Sequence, residues 1–128
     1  MALATGTRLG PYEILSAIGA GSMGEVYRAR DTRLERTVAI KVLATPLAAD
    51  PQLRDRFERE ARAISSLNHP HICTLFDVGH QDGVDFLVLE YLEGETLAER
   101  LARAGALDPH EALQIAIHVC DALDKAHR

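Results

Sequence analysis

The chain predicts an α+β fold: an antiparallel sheet of five strands with one helix inserted, followed by two further helices. Three observations carry this reading. Three runs of apolar and polar alternation with short connections precede residue 44. After Asp50 the apolar period changes from two to about 3.6 residues. Two more strand-like runs then lead into two helical segments with start and stop signals. The 128 residues are one domain's worth of chain, and 47% hydrophobic content supports a core.

In order, Tyr12 to Ile18 (YEILSAI) alternates, with Tyr12, Ile14 and Ser16 on one face and Glu13, Leu15 and Ala17 on the other. A glycine-rich turn follows, and EVYRAR resumes the alternation. The third run, Thr37 to Leu43 (TVAIKVL), is dense in β-branched residues and carries one lysine, Lys41. Short connections join the three as a meander. Asp50 and Pro51 form a cap and first-turn pair, and Leu53, Phe57, Ala61, Ile64 and Leu67 recur three or four apart. Arg54, Asp55, Glu58, Arg59 and Arg62 fall mostly on the wet side, where an Arg-rich face is either simply solvated or a docking surface for a partner. Pro70 ends this helix. ICTLFDVG and VDFLVLEYL are strands joined by the turn HQDG. Gly94 interrupts, TLAERLARA forms a short helix ending at Gly105, and Asp108, Pro109 and Glu111 open a last helix reaching about His127. More than half of that helix's circumference is apolar.

Gly19, Gly21 and Gly24 spell G-x-G-x-x-G, a weak signal alone because unrelated phosphate-binding turns share it. A dinucleotide-binding turn runs from a strand into a helix, whose N-terminus meets the pyrophosphate. Here the turn runs into a strand, which excludes that arrangement. A plain tight hairpin is one remaining reading. The other is a flap whose backbone N–H groups fold over a triphosphate, and this needs a separate cation, which Lys41 supplies from the adjacent strand. A lysine inside an apolar strand is costly to desolvate unpaired, so an acid should reach it. Glu60, beside Ala61 and Ile64, is the candidate; Glu58 competes, and Glu60 could instead make a surface i,i+4 pair.

At this point the residues resemble the protein kinase family. GAGSMGEV is similar to the Gly-rich loop, VAIK to the β3-lysine motif, FEREARAISSLNHPHI to the αC helix and its turn, and FLVLEYLEGETL to the last N-lobe strand and hinge. LGPYEIL, MGEVYRARD and LNHPHI resemble bacterial eukaryote-like Ser/Thr kinases. The resemblance runs from about Gly10 to Arg128. It implies an N-terminal leader over 1–11, an N-lobe with hinge over 12–93 and the start of a C-lobe (αD and αE) over 94–128. It further implies ATP as ligand. The Gly-rich loop of Gly19, Ala20, Gly21, Ser22, Met23 and Gly24 would cover the phosphates, and Lys41 would contact the α and β phosphates and pair with Glu60. Ile18, Val26 and Ala39 would roof the adenine, Leu89 would be the gatekeeper, backbone groups of Glu90 and Leu92 would bond the adenine edge, and Leu97 would close the pocket. Ile64 and Leu75 resemble half of the regulatory spine. Thr96 stands where many members carry an acidic ribose contact, which leaves ribose binding open.

The H-R-D-x-x-x-x-N, D-F-G and A-P-E motifs are not among these residues. His127-Arg128 imitates the opening of H-R-D, but the resemblance makes it the end of αE, with the catalytic Asp expected beyond Arg128. No catalytic or metal-binding residue is therefore assigned; Mg²⁺ and the protein substrate belong to the longer parent, and the chain alone is expected to be inactive. A non-catalytic kinase-like adaptor is the alternative. A formal net charge of −5 argues against nucleic-acid or anionic-membrane binding, which needs a dense basic face. Cys73 and Cys120, without zinc-site spacing, are expected to be reduced and buried, which points to a reducing compartment. The resemblance leaves room for a cytoplasmic domain of a membrane-anchored kinase. No signal peptide or apolar span is apparent. His69 is expected as a turn residue, and His71, His80, His110 and His118 as no metal site. With nothing to cover it, the last helix, including Ile115, Val119 and Leu123, is expected to drive self-association.

Overall fold

A computed structural model describes residues 3–21, 24–43 and 51–127, apart from the side chains of residues 20, 21 and 53. These residues form two compact units. The first is Met1–Ser66 with Thr74–Tyr91, and the second is Leu67–Cys73 with Leu92–Arg128.

The first unit is a six-stranded antiparallel sheet in the order β1-β2-β3-β4-β6-β5, with one helix. Its strands are β1 (Arg8–Leu9), β2 (Tyr12–Gly21), β3 (Gly24–Asp31), β4 (Arg36–Leu43), β5 (Leu75–Gln81) and β6 (Val84–Glu90), and α1 (Pro51–Ser65) lies between β4 and β5 in sequence. Five of the strands are those expected, while β1 is an addition. Its two residues pair Arg8 with Glu13 and Leu9 with Tyr12, a length too short to display any period. Residues 3–10, expected as a leader, are packed onto the sheet: Leu9 is buried, and the Gly6 N–H donates to the Ile14 carbonyl at 2.8 Å.

Directly opposed residues of antiparallel strands share a face. One face collects Tyr12, Ile14, Tyr27, Ala29, Val38, Ile40, Phe86 and Val88, none more than 4% exposed. Burying each of the larger side chains contributes about 1.5–3 kcal/mol, so this face is what holds the sheet together. Asp82 and Gly83 turn β5 into β6 with φ of 52° and 79°, the two positive angles of a two-residue hairpin. Between β3 and β4, buried Asp31 holds the turn. Its Oδ1 accepts from the Arg33 and Leu34 N–H groups at 3.0 and 3.3 Å, and Arg36 Nε lies 3.7 Å from Oδ2.

The sheet curls until its two edge strands meet through side chains. The Gln81 amide accepts from the Gly10 N–H at 2.6 Å and donates to the Arg8 carbonyl at 3.0 Å, acting as a backbone bridge between β1 and β5 and covering edges that would otherwise template pairing with other chains. The Tyr12 hydroxyl donates to Asp77 Oδ2 at 2.9 Å, and burial, reinforced by that carboxylate, pushes the phenol up to about 12. Tyr27 donates to Glu25 and accepts from the Leu3 N–H at 2.9 Å; burial first and Glu25 second raise its pKa.

In the second unit, α2 (Leu97–Ala104) begins with a full capping box. Thr96 Oγ1 accepts from the Glu99 N–H at 3.0 Å, and Glu99 Oε1 accepts from the Thr96 N–H at 3.3 Å. The last helix, α3 (Pro109–Ala126), is capped by Asp108, which accepts from the His110 N–H at 3.1 Å. Glu111, at the acidic third position, instead receives Arg100 in a fork at 2.8 and 2.9 Å and ties α3 to α2. The Arg103 guanidinium, 2.5 Å from Glu95, holds that carboxyl below its usual range. His69 Nδ1 accepts from the His71 N–H at 3.1 Å, the turn role expected of it, and the His71 ring stacks on His118 at 3.9 Å.

The cysteines correct the sequence reading on burial: both are exposed thiols. The physical reason for Cys120 is that α3 buries none of its residues, so an apolar sequence neighbourhood gives it no cover. Leu113, Ile117, Val119 and Leu123 are exposed on the same helix. No helix among the described residues is long and apolar enough to cross a membrane.

Candidate functional site

The sheet face opposite the core brings together Val26, Ala39, Lys41 and Leu89 from among the expected site residues of the first unit. Register places Val26 beside Lys41 and Lys41 beside Leu87; Ala39 lies beside Leu89. Residues 39 and 41 therefore stand on one face with 26, 87 and 89, because side chains alternate along each strand. Ala39 is buried; Val26, Lys41 and Leu89 are half-buried. Arg28 stands on the same face beside Ala39 and donates from Nε to Ser16 Oγ, so the face carries the Lys41 ammonium and a guanidinium among apolar side chains.

At the β2–β3 turn, Gly19, Ala20 and Gly21 pair with Val26, Glu25 and Gly24. A register shift falls between Ala17 and Gly19, which makes Ile18 the extra residue of a bulge, 52% exposed. Bulges re-aim side chains in this way. Gly24 has φ of 132°, a conformation that residues with a Cβ rarely adopt. At Gly19 an added Cβ would meet nothing within 4 Å, so the strand surface there is open. Ser22 and Met23 lie outside the described residues, as does Asp50.

α1 departs from expectation in its roll about its own axis. It buries Ala61 and half-buries Arg54, Phe57 and Glu58, whereas Glu60 is exposed and pairs with Arg56 Nε at 3.1 Å. Among the described residues no ion pair joins Lys41 to Glu60. Ile64 is 48% exposed, while its expected spine partner Leu75 is buried. At about 100° per residue, a buried arc centred on 54, 57, 58 and 61 leaves 60 and 64 on the flank. Apolar spacing alone therefore ranked Glu60 above Glu58 as the inward acid, and packing reverses that order.

Glu90 ends β6; its N–H donates to the Thr74 carbonyl at 2.8 Å, and its carboxylate accepts from the Thr74 N–H at 3.1 Å. In the second unit Leu92 and Leu97 are exposed, and Thr96 is engaged in the capping box. Sequence reasoning did not anticipate a cleft of about 220 Å³ between α1 and the β5–β6 hairpin, lined by Arg54, Phe57, Glu58, Val78, His80 and Asp85. His80 Nδ1 meets the buried Asp85 at 2.8 Å, a carboxylate partner the histidine was not expected to have. Its signal was the two-residue turn, which sets His80 opposite Asp85 across the hairpin. Among the described residues no group of three or more His, Cys, Asp or Glu side chains could hold a metal.

The profile of the protein kinase domain matches residues 12–128. The chain belongs to the protein kinase family. Serine/threonine-protein kinase PrkC of Bacillus subtilis is 44% identical over 119 residues, which cover 93% of this chain and 18% of that kinase. Serine/threonine-protein kinase PknE of Mycobacterium tuberculosis is 41% identical over 122 residues, 95% of this chain and 22% of that kinase. The crystal structure of the kinase domain of Mycobacterium tuberculosis PknI superposes with a TM-score of 0.88 at 37% identity, covering 98% of this chain and 51% of that one. This kinase-family chain thus spans about a fifth of its curated relatives and about half of a solved kinase domain.

Proposed function

We propose that the chain is the ATP-binding portion of a Ser/Thr protein kinase whose whole transfers the γ-phosphoryl group of ATP to protein hydroxyls. The observation that carries this reading is the common sheet face of Val26, Ala39, Lys41 and Leu89 in a chain of the kinase family. Apolar side chains beside the Lys41 ammonium suit a ligand with a flat base at one end and a polyanion at the other. Ile18, Val26 and Ala39 cover the base, with Leu89 as gatekeeper. Lys41 takes the α and β phosphates under the backbone of 19–24. The family resemblance assigns the backbone carbonyl of Glu90, the N–H and carbonyl of Leu92 and the side chain of Leu97 to adenine. Glu60 braces Lys41 in the nucleotide-competent form.

Transfer itself requires a base for the acceptor hydroxyl and metal ligands on the catalytic and D-F-G loops. These residues are absent from the sequence, so the 128 residues bind nucleotide without turning it over. Binding of a fluorescent ATP analogue tests this. Lys41→Met is expected to weaken it roughly tenfold or more, the loss of one charge-assisted phosphate contact. Equal affinity of wild type and Lys41→Met would remove the reading.

A further inference from the structure

The layer of side chains that holds Lys41 also holds a second cation. Arg28 on β3 stands opposite Ser16 of β2 and Ala39 of β4, and Ala39 stands opposite Leu89 of β6. These four form one cross-strand row. Val26, Lys41 and Leu87 form the neighbouring row, two residues along each strand and about 7 Å away. The glycine turn lies beyond Lys41, so a ligand whose phosphates meet Lys41 under that turn lays its base along the row that contains Arg28.

Arg28 is half-buried. Its Nε donates to Ser16 Oγ at 3.2 Å, and among the described residues the guanidinium makes no other hydrogen bond and no ion pair. Neither cross-strand neighbour is an acid. Arg30, two residues on, stands opposite Glu13, so β3 sets one arginine against a carboxylate and the other against a hydroxyl and a methyl group. A guanidinium partly withdrawn from water loses hydration that one serine does not replace. Its flat face and its two terminal nitrogens are left for a ligand.

Side chains on one face of a sheet form one layer. A flat base pressed on Ala39 therefore turns its ring face, and not its edge, toward Arg28. Guanidinium groups stack on aromatic ring faces and on nucleic acid bases. Resting on the nucleotide-binding reading above, we propose that Arg28 is a base-contacting residue: its guanidinium, held by Ser16, stacks on the purine ring beside Ala39. It extends the cover given by Ile18, Val26 and Ala39. Arg28 thus acts on the nucleoside end of the ligand and Lys41 on the phosphate end.

The test is displacement of the fluorescent ATP analogue from the full chain by ATP and by adenosine, which carries the base and no phosphate. Arg28→Gln and Arg28→Ala are expected to weaken both competitors by the same factor, about three- to tenfold. Lys41→Met is expected to weaken ATP and to leave adenosine unchanged. Arg28→Lys, which keeps the charge and loses the plane, is expected to behave like Arg28→Gln. Unchanged adenosine affinity in Arg28→Gln and Arg28→Ala overturns the proposal, as does a larger loss for ATP than for adenosine, which would make Arg28 a phosphate-attracting charge. Wild-type affinity in Arg28→Lys overturns the stacking, and so does failure of adenosine to displace the analogue from wild type. Two substitutions guard against a folding defect in one, and unaltered circular dichroism certifies each. Equal analogue affinity of wild type and Lys41→Met removes the nucleotide reading itself, so the two failures are distinct results.

Discussion

Replacing Gly79 by alanine tests how the sheet under α1 is packed. Gly79 faces Phe86 across the β5–β6 pair, and an alanine Cβ there would lie 2.3, 2.7 and 2.9 Å from three atoms of the Phe86 ring. Ordinary carbon contacts begin near 3.5 Å, so the overlap exceeds about 1 Å. The ring cannot simply swing away. Phe86 is 4% exposed and meets Tyr12 edge-on at 6.3 Å and 79° within the core. Overpacking of this kind costs about 1–3 kcal/mol, and the entropy that alanine removes from the unfolded chain returns about 0.5–1. A net loss of about 1–2 kcal/mol is expected, a fall of about 4–15 °C in melting temperature for a unit of this size. Thermal denaturation followed by circular dichroism reads it. In a Phe86→Leu background, where the ring is gone, Gly79→Ala is expected to cost far less, and the double-mutant cycle isolates the clash. A neutral or stabilising Gly79→Ala, or the same cost in both backgrounds, would refute the argument.

Tyr12 makes stability fall at alkaline pH. Its folded-state pKa of about 12 lies above the ordinary 10, so its contribution is complete below pH 10 and is lost as pH rises toward 12. The loss is about 2–3 kcal/mol, and urea titrations across that window should find the alkaline fall in stability smaller by that amount in Tyr12→Phe, where the raised Tyr27 still contributes. Asp31→Ala leaves two turn N–H groups without their acceptor and Arg36 without its ion-pair partner and is expected to cost about 2–4 kcal/mol by chemical denaturation. Thr96→Ala breaks the capping box and is expected to cost α2 about 1 kcal/mol, read as faster amide hydrogen exchange at Leu97 to Glu99. The exposed apolar side chains of α3 are expected to make the chain self-associate, so its mass by light scattering should rise with concentration and fall back in Ile117→Glu/Leu123→Glu.

Element identity was legible because it is written in short-range patterns. Alternation marked β2, β3 and β4, the HQDG turn fixed the β5–β6 hairpin, and Asp108-Pro109 marked the start of α3. These are backbone and neighbour effects, decided within a few residues. The glycine turn and VAIK were legible for the same reason, and the register of β3 on β4 then carried Val26 beside Lys41. By itself the sequence also determined the family, since the glycine turn, VAIK and the helix that follows stand in the order of the kinase motifs, and kinases match the chain at 41–44% identity.

Only the tertiary structure decided which way α1 rolls. The helix has one apolar stripe and two acids near its edge, and the side facing β5 depends on the fit of Ala61 and Phe57 against that strand. Exposure of Cys73 and Cys120, closure of the sheet edges by Gln81 and the seating of Phe86 over Gly79 are of the same kind. Each is a contact between residues far apart in sequence or a question of what covers a surface. Such outcomes are set by competition among packings that differ by a few kcal/mol, and no local period distinguishes them.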